Sequence, residues 1–195
     1  MQLRYPVVLA SASPRRRGLL GELLGSFEVA VAPIDEEGLT TADPWETAER
    51  LAVAKAAFVY ASRPEALVIA GDTVVALDVG GAWRQLAKPA DAADACAMLR
   101  ALSGRTHVVV TGVSLCWPGG STSFTESSRV RFRELTDEEI AQYVATGSPM
   151  DKAGAYGLQD ESQDFIERVE GSVTNVIGLP MERLSDILST MVGAT

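Results

Sequence analysis

An apolar strand signal runs directly into a helix signal at the start of the chain, and this junction constrains the fold more than any other feature. The run from Tyr5 to Ala10 is almost entirely apolar and predicts a buried strand. Ser13 is a preferred helix N-cap and Pro14 suits the first helical position. An apolar leucine stripe then extends from Leu19 to Leu24. A strand, a short turn and a helix in this order indicate an α/β architecture.

Three arginines, Arg15, Arg16 and Arg17, occupy the first turn of this predicted helix. Each costs a few tenths of a kcal/mol there, because the positive end of the helix dipole repels cations. An anion bound at the helix end removes that cost by accepting hydrogen bonds from backbone and guanidinium N–H groups. A solvated surface cluster is the alternative interpretation, and Arg17 fits it. Arg15 and Arg16 lie one turn before the leucine stripe, so we expect these two in a polyphosphate site.

Further element signals are spread along the chain. Phe27 to Ala32 alternates as a strand does, and capping boxes predict helices that begin at Asp43 and at Thr136. Apolar runs and turn residues predict the other elements: a strand over 66–77 interrupted at 71–73, a hairpin turn at 78–81, a helix over 91–102, antiparallel strands over 107–117 and 122–134, a loop over 148–164 and a final helix from Pro180. We expect one α/β domain over residues 1–195, with room for two lobes.

Composition narrows the classes of partner. The net charge of −9 and the isoelectric point near 4.7 argue against a nucleic-acid polymer or an anionic membrane. The sequence shows neither a run of about 18 apolar residues nor a signal-peptide pattern. We therefore expect a soluble, cytoplasmic protein. The single histidine, His107, has no second His or suitably spaced Cys, so no catalytic or zinc-binding role is expected for it.

Asp72 stands inside the apolar run from Leu67 to Leu77. A buried carboxylate costs several kcal/mol unless it is compensated, so we expect Asp72 to emerge at a strand break, which Gly71 would permit. One interpretation is that Asp72 caps a turn through backbone hydrogen bonds. The other is that it binds a divalent cation or orients a water molecule.

Other charged residues raise the same choice between structure and chemistry. Lys55 falls within the apolar face of its helix, four residues from both Leu51 and Val59. It either extends along that face to solvent or reaches a phosphate across a cleft. Lys88 is a weak candidate because a following proline alone says little, and the pattern around Glu36 leaves its role open.

Two arginines, two lysines, two carboxylates and a helix N-terminus are the parts expected of metal-assisted hydrolysis of a phosphoanhydride. That reaction needs neutralised charge and a positioned water more than covalent chemistry. The sequence contains no Gly-x-x-x-x-Gly-Lys-Ser/Thr run, which argues against a motor, a switch or an ordinary ATPase.

A series of ordered motifs covers nearly the whole chain. They are Leu9–Arg16 with Leu19 and Leu20, Pro33–Glu36, Ala54–Ala56, Gly71–Val75, Lys88–Pro89, Met98–Gly104 with Thr106 and His107, Asp151–Gln159 and Asn175–Pro180. Together they resemble the Maf family of nucleoside triphosphate pyrophosphatases, also called septum-formation inhibitor proteins.

The resemblance implies an enzyme that cleaves a nucleoside triphosphate between the α and β phosphates with Mg²⁺ or Mn²⁺. It implies a mixed, twisted sheet flanked by helices, of the Maf and ITPase-like type, with two lobes around a central cleft and a homodimeric assembly. The run Asp151–Gln159 is similar to that of the branch that prefers dTTP and UTP, with modified pyrimidine nucleotides as further candidates. The branch that acts on 7-methyl-GTP has a different segment there.

The resemblance also assigns roles to residues of this chain. The phosphates would be held by Ser11, Arg15 and Arg16, with Ser13 and Thr73 of the same motifs as further substrate-binding candidates. Positive charge would come from Lys55 and Lys88. Glu36 and Asp72 would bind the metal or activate water, with Asp72 as the candidate base, and Gln159 would complete the site.

Two segments depart from the family pattern. Residues 160–164 lack the usual small, Gly-rich character, and Val173 and Thr174 replace aromatic residues. These changes bear on loop closure and base preference. Two alternative functions stay open at this point: a nucleotide-binding regulator of cell division, and the same reaction on 7-methyl-GTP. A pure binding module would not need the Glu36 and Asp72 pair, which favours catalysis.

Overall fold

A seven-stranded mixed sheet forms the centre of the structure, a computed structural model that describes residues 3–193. The strand order is β2-β1-β3-β5-β6-β7, with β4 paired to β3. The strands are β1 (Val7–Leu9), β2 (Glu28–Val29), β3 (Leu67–Val79), β4 (Ala82–Leu86), β5 (Thr106–Trp117), β6 (Gly120–Phe132) and β7 (Ile166–Glu170). β1 pairs in parallel with β2 and β3, whereas the other neighbours pair antiparallel.

Six α-helices flank this sheet in the described part of the chain. They are α1 (Pro14–Leu24), α2 (Pro44–Tyr60), α3 (Ala92–Leu102), α4 (Asp137–Ala145), α5 (Val173–Ile177) and α6 (Met181–Ser189). The predicted helix starts are confirmed, because Ser13, Asp43 and Thr136 each accept a hydrogen bond from a backbone N–H of the first turn. None of the helices between residues 3 and 193 has the length and apolar character needed to cross a membrane.

β3 corrects the sequence prediction most clearly. It runs without a break from Leu67 to Val79, so the interruption predicted at residues 71–73 is wrong. β5 pairs with it residue by residue and matches Gly71 to Val113 and Asp72 to Gly112. These ladder hydrogen bonds hold the strand straight through the glycine that the sequence pattern suggested as a break.

Other predicted boundaries differ less. The predicted strand over 27–32 is only two residues long, and the predicted loop over 148–164 contains 3₁₀ turns at Ser148–Asp151, Ala153–Ala155 and Glu161–Phe165. The prediction missed β7 and α5, which are both five residues long. Such short elements carry too few residues for a periodic pattern to appear.

Separate apolar clusters give the molecule its two lobes. One cluster packs α3 and α4 against the sheet and includes Leu99 and Phe132. A second cluster packs α1 and α6 against the other end of the sheet and includes Leu20 and Leu184. α2 covers the opposite sheet face near Val59. β3 and β5 extend through both lobes. A cleft opens between the two lobes.

Candidate active site

The cleft lies where one edge of β3 lacks a neighbour. β1 pairs with that edge up to Ile69, and β4 pairs with it again only from Val75. Within the gap at residues 70–74, Asp72, Thr73 and Val74 line a cavity of about 760 Å³. Because side chains alternate between sheet faces, Asp72 and Thr73 reach the cavity from opposite sides of the strand.

All ten residues that the sequence proposed for the site line this one cavity. They are Ser11, Ser13, Arg15, Arg16, Glu36, Lys55, Asp72, Thr73, Lys88 and Gln159. The structure thus places the basic helix end, both lysines and both carboxylates in a shared space. What each residue does there stays a prediction.

The N-terminal end of α1 presents hydroxyl groups to the cavity. Ser13 accepts a hydrogen bond from the backbone N–H of Arg16, and Ser11 Oγ accepts from the backbone N–H of Ser13 and from the Arg16 guanidinium at 3.2 Å each. Neither serine hydroxyl donates to a described residue, so both protons are left for a ligand oxygen. The first turn of α1 contains no acidic residue, which keeps this end of the helix positive.

Arg16 is held in place by three hydrogen bonds from its guanidinium. Nε donates to the carbonyl of Gly178 at 2.7 Å, and the two terminal nitrogens donate to Ser11 and to Thr73 Oγ1. Burial lowers the pKa of Arg16 from its ordinary value. The guanidinium passes close to Gly71, where an added Cβ would lie 3.2 Å from Arg16 Nε and would crowd it.

Thr73 helps to fix the side chain of Arg16. Its hydroxyl accepts from Arg16 at 2.8 Å and lies 2.9 Å from the hydroxyl of Thr111, which itself donates to the carbonyl of Asn175. Thr73 therefore donates to Thr111, and its single hydroxyl proton is used within the protein. Thr73 borders the cavity, but its contacts position the guanidinium.

Lys55 bridges the two candidate carboxylates. Its Nζ lies 2.6 Å from Asp72 Oδ1 and 2.7 Å from Glu36 Oε1. The side chains of Lys55 and Asp72 are 13% and 14% exposed, whereas that of Glu36 is 58% exposed. The ammonium thus compensates the charge of Asp72 within an unbroken strand, so the predicted strand break is not needed.

Gly112 explains how α2 brings Lys55 so close to β3. A Cβ on Gly112 would lie only 2.2 Å from the carbonyl oxygen of Ala48 in α2. The helix backbone therefore rests directly on β5, beside the Asp72 pairing position. Sequence reasoning missed this residue, because a glycine inside a strand indicates a close approach without saying which element approaches.

The donor set of the cleft fits the divalent cation implied by the family resemblance. Mg²⁺ takes one or two protein carboxylates and completes its shell with water and phosphate oxygens. Asp72 and Glu36 supply such oxygens, both within 2.7 Å of one nitrogen. Residues 3–193 contain no group of three or more His, Cys, Asp or Glu side chains suited to a metal ion. A cation here would thus share these two carboxylates with oxygens of a ligand.

Arg15 reaches across the cleft to a residue that sequence reasoning did not single out. Its guanidinium donates to Asp151 Oδ2 at 3.0 Å and to the Asp151 carbonyl at 3.4 Å. The neighbouring Lys152 donates to Asp151 Oδ1 at 2.8 Å. Both residues belong to the motif Asp151–Gln159, of which only Gln159 was proposed for the site.

Lys152 and Asp160 fix the segment that carries Gln159 into the cleft. Lys152 is buried, and its Nζ lies 3.2 Å from Asp160 Oδ2 and donates to the carbonyl of Ser148. Burial raises the pKa of Asp160, but hydrogen bonds from Ser162 and Lys152 outweigh that effect and hold the pKa below its ordinary value. Asp160 and Ser162 lie in the segment that departs from the family pattern, where they join the polar network that fixes its conformation.

His107 packs beneath the cleft without entering it. Its Nε2 lies 2.7 Å from the hydroxyl of Tyr156, which lines the cavity, and burial lowers the pKa of His107 to about 3. The ring is therefore neutral near pH 7. His107 is not among the residues that line the cavity, and its lack of a part in the chemistry stays a prediction.

Comparisons with known proteins agree with this geometry. A family model described as "Maf-like protein" matches residues 6–191. The chain is 48% identical over 187 residues to a dTTP/UTP pyrophosphatase from Salinibacter ruber, covering 94% of this chain and 90% of that protein. A second dTTP/UTP pyrophosphatase, from Koribacter versatilis, is 47% identical over 186 residues, which cover 93% of this chain and 94% of that protein.

Solved structures support the fold alone. The Ham1 protein of Staphylococcus aureus superposes with a TM-score of 0.53 at 16% identity, covering 95% of this chain and 98% of that one. A HAM1 protein from Coxiella burnetii gives a TM-score of 0.51, also at 16% identity, over 95% of this chain and 99% of that chain. The two-lobed α/β architecture is therefore shared with proteins of very different sequence.

Proposed function

The chain belongs to the Maf-like protein family, and on that premise we propose that it hydrolyses dTTP and UTP to the nucleoside monophosphate and pyrophosphate. Relatives at 47–48% identity bear the name dTTP/UTP pyrophosphatase, which supports this substrate class. The observation that carries the proposal is that the four cationic side chains and two carboxylates predicted from the sequence line a single cavity, to which Lys152, Glu37 and Asp151 also contribute. A triphosphate is the kind of ligand that matches so many converging cations.

Binding uses the end of α1. The hydroxyls of Ser11 and Ser13 and the guanidinium of Arg15 hold phosphate oxygens, and Arg16 adds positive charge from a fixed position. Lys88 is exposed at the edge of the cavity, where its ammonium can approach the chain of phosphates. A fixed donor such as Arg16 needs no rearrangement as negative charge develops on the leaving group.

The chemical step breaks the bond between the α-phosphorus and the oxygen that bridges to the β-phosphorus. The oxygen of a water molecule attacks the α-phosphorus, and the Asp72 carboxylate takes one of its protons. Pyrophosphate leaves with the bridging oxygen. Lys55 holds the carboxylates of Asp72 and Glu36 in one place for this role.

We include a divalent cation, Mg²⁺ or Mn²⁺, in the proposal. Asp72 and Glu36 would hold it, and it would neutralise phosphate charge when bound. We further propose a homodimer and a cytoplasmic location, with no nucleic-acid polymer or membrane as partner, which fits the net charge of −9. Light scattering of the purified protein measures its mass in solution and so tests the proposed homodimer.

A panel of nucleoside triphosphates, assayed for pyrophosphate and monophosphate with and without metal, tests the proposal. We expect dTTP and UTP to be the best substrates, and Asp72→Asn to lower turnover at least about 100-fold, because it removes the base. Asp186→Asn is the matched control, since Asp186 is exposed on α6 and remote from the cavity. Full turnover by Asp72→Asn removes Asp72 from the mechanism.

The same panel separates the two alternatives. Preferred release of pyrophosphate from 7-methyl-GTP would assign the chain to the other substrate class. Stoichiometric nucleotide binding without turnover, in either metal, would favour a regulatory module. Release of inorganic phosphate in place of pyrophosphate would show that a different bond is cleaved.

A further inference from the structure

The carboxylate of Asp151 pairs with the guanidinium of Arg15 in the cleft. The two terminal nitrogens of Arg15 face Asp151, one at 3.0 Å from the carboxylate and one at 3.4 Å from the carbonyl. Both residues line the cavity, and their side chains are 24% and 56% exposed. An arginine fork accepts phosphate in the same planar manner as carboxylate, so Asp151 and a phosphate group compete for the same donors.

Asp151 is paired with a second cation, Lys152, and this pair is kept when a ligand takes the place of Asp151 at Arg15. Lys152 donates to Asp151 Oδ1 at 2.8 Å, and Lys152 is itself fixed by Asp160 and Ser148. The Asp151 carboxylate can thus release Arg15 without being left as an unpaired charge, which would be costly. The exchange of partners therefore needs only a rotation of the Arg15 or Asp151 side chain.

We propose that Asp151 is a positioning residue that competes with phosphate groups for Arg15 and so sets the affinity of the site for pyrophosphate. The inference rests on the proposed function, in which pyrophosphate is a product that must leave a strongly basic site. A carboxylate tethered beside Arg15 acts as a competitor at a fixed, high effective concentration. It weakens the hold on the departing product while Arg16, which is tied to Gly178, stays in place.

Pyrophosphate binding to Asp151→Asn, measured by calorimetry in EDTA and again with Mg²⁺, tests this inference. We expect pyrophosphate to bind about two- to fivefold more tightly than to the unmodified protein, the range that loss of an exposed ion pair supports. The KM for dTTP and the inhibition constant for pyrophosphate should fall by the same ratio. Asp151→Glu should restore the original values.

Asp137→Asn is the matched control, since it removes an equal charge from an exposed Asp–Arg pair on α4, where Arg100 Nε lies 2.7 Å from Asp137. We expect its pyrophosphate affinity to stay unchanged. Circular dichroism checks that each variant folds, and Asp151→Ser replaces Asp151→Asn in the titration if that variant does not.

Unchanged or weaker pyrophosphate binding in EDTA overturns the inference. Weaker binding only in Mg²⁺ also overturns it and makes Asp151 a metal ligand. If the unmodified protein neither binds pyrophosphate nor releases it from a triphosphate, the proposed function itself fails. If the unmodified protein does both and Asp151→Asn does not tighten binding, only this inference fails.

Discussion

The two walls of the cleft are held together by different interactions. The first wall consists of α1, α2 and β3, and its shape comes from regular secondary structure and close backbone packing, most clearly where α2 meets Gly112. The second wall, residues 151–160, contains only 3₁₀ turns as regular structure. Ala155 and Tyr156 pack into the apolar core, and charged side chains such as Lys152 and Asp160 fix the rest of the segment.

This difference has consequences for how each wall responds to change. Close packing leaves no space, so one added methyl group should disturb the first wall strongly. The strength of a polar network depends on charge and hydrogen bonding. The first wall should therefore be sensitive chiefly to volume, and the second wall to charge and pH as well.

The largest effect is expected from Gly112→Ala. The new Cβ would lie 2.2 Å from the Ala48 carbonyl oxygen, so α2 must move away from the sheet. We expect the free energy of unfolding to fall by about 3 kcal/mol, with a loss of turnover as Lys55 leaves Asp72. Denaturant unfolding measures the first effect and pyrophosphate release the second.

Gly18→Ala is the control for that substitution. Gly18 lies in α1 with nothing within 4 Å of its added Cβ. Alanine is the better helix former, so this change should stabilise the protein by about 0.5–1 kcal/mol. Equal stability of the two variants would show that the contact between α2 and β5 is not a constraint.

A smaller effect is expected from Lys152→Met in the second wall. It removes the ammonium shared by Asp151 and Asp160 and leaves a half-buried carboxylate unpaired. We expect a loss of about 2 kcal/mol in the free energy of unfolding, less than for a fully buried pair. The KM for dTTP should rise more than kcat falls, because the segment that carries Gln159 loses its anchor.

Arg100→Met tests the same chemistry at an exposed site, where it breaks the pair with Asp137. This control should cost less than about 1 kcal/mol. If Lys152→Met costs no more than Arg100→Met, the polar network does not hold the second wall.

The smallest effect concerns pH and the His107–Tyr156 hydrogen bond beneath the second wall. Burial lowers the pKa of His107 to about 3 from an ordinary value of 6.5. The unfolded chain therefore gains a proton below about pH 6.5 that the folded protein takes up only near pH 3, so stability falls as the pH drops through that range. Between about pH 7 and pH 5.5 this amounts to about 1 kcal/mol.

His107→Gln should remove that pH dependence while keeping a donor near the Tyr156 hydroxyl. Unfolding curves of both proteins at the two pH values measure the difference. The pKa of Glu139, lowered to about 2 by the hydrogen bond from Arg133, affects stability only at more acidic pH. Identical slopes for the two proteins would contradict the assignment.

The first wall was largely predictable from sequence, because its signals are local. The cap at Ser13, the proline at the helix start and the arginines of the first turn lie within five residues, and the structure places them as expected. The wrong prediction, a strand break at Gly71, came from reading a glycine locally. Gly71 instead lies against the side chain of Arg16. A local sequence pattern could not reveal this contact, because the two residues are far apart in the sequence.

The second wall could not be predicted in the same way. Asp151, Lys152 and Asp160 form no periodic pattern, and their pairing depends on turns whose conformation is set by contacts with the rest of the fold. The motif showed that these residues belong together. It did not show that Asp151 faces Arg15, because that contact joins residues 136 positions apart.

The missing neighbour along residues 70–74 of β3 also bears on association between molecules. An unpaired strand edge can recruit a strand from another chain and lead to aggregation or domain swapping. Here β1 and β4 cover the same edge on both sides of the opening, up to Ile69 and again from Val75. An invading strand would have to fit between β1 and β4 and could pair with at most five residues, so the opening is a limited template for self-assembly.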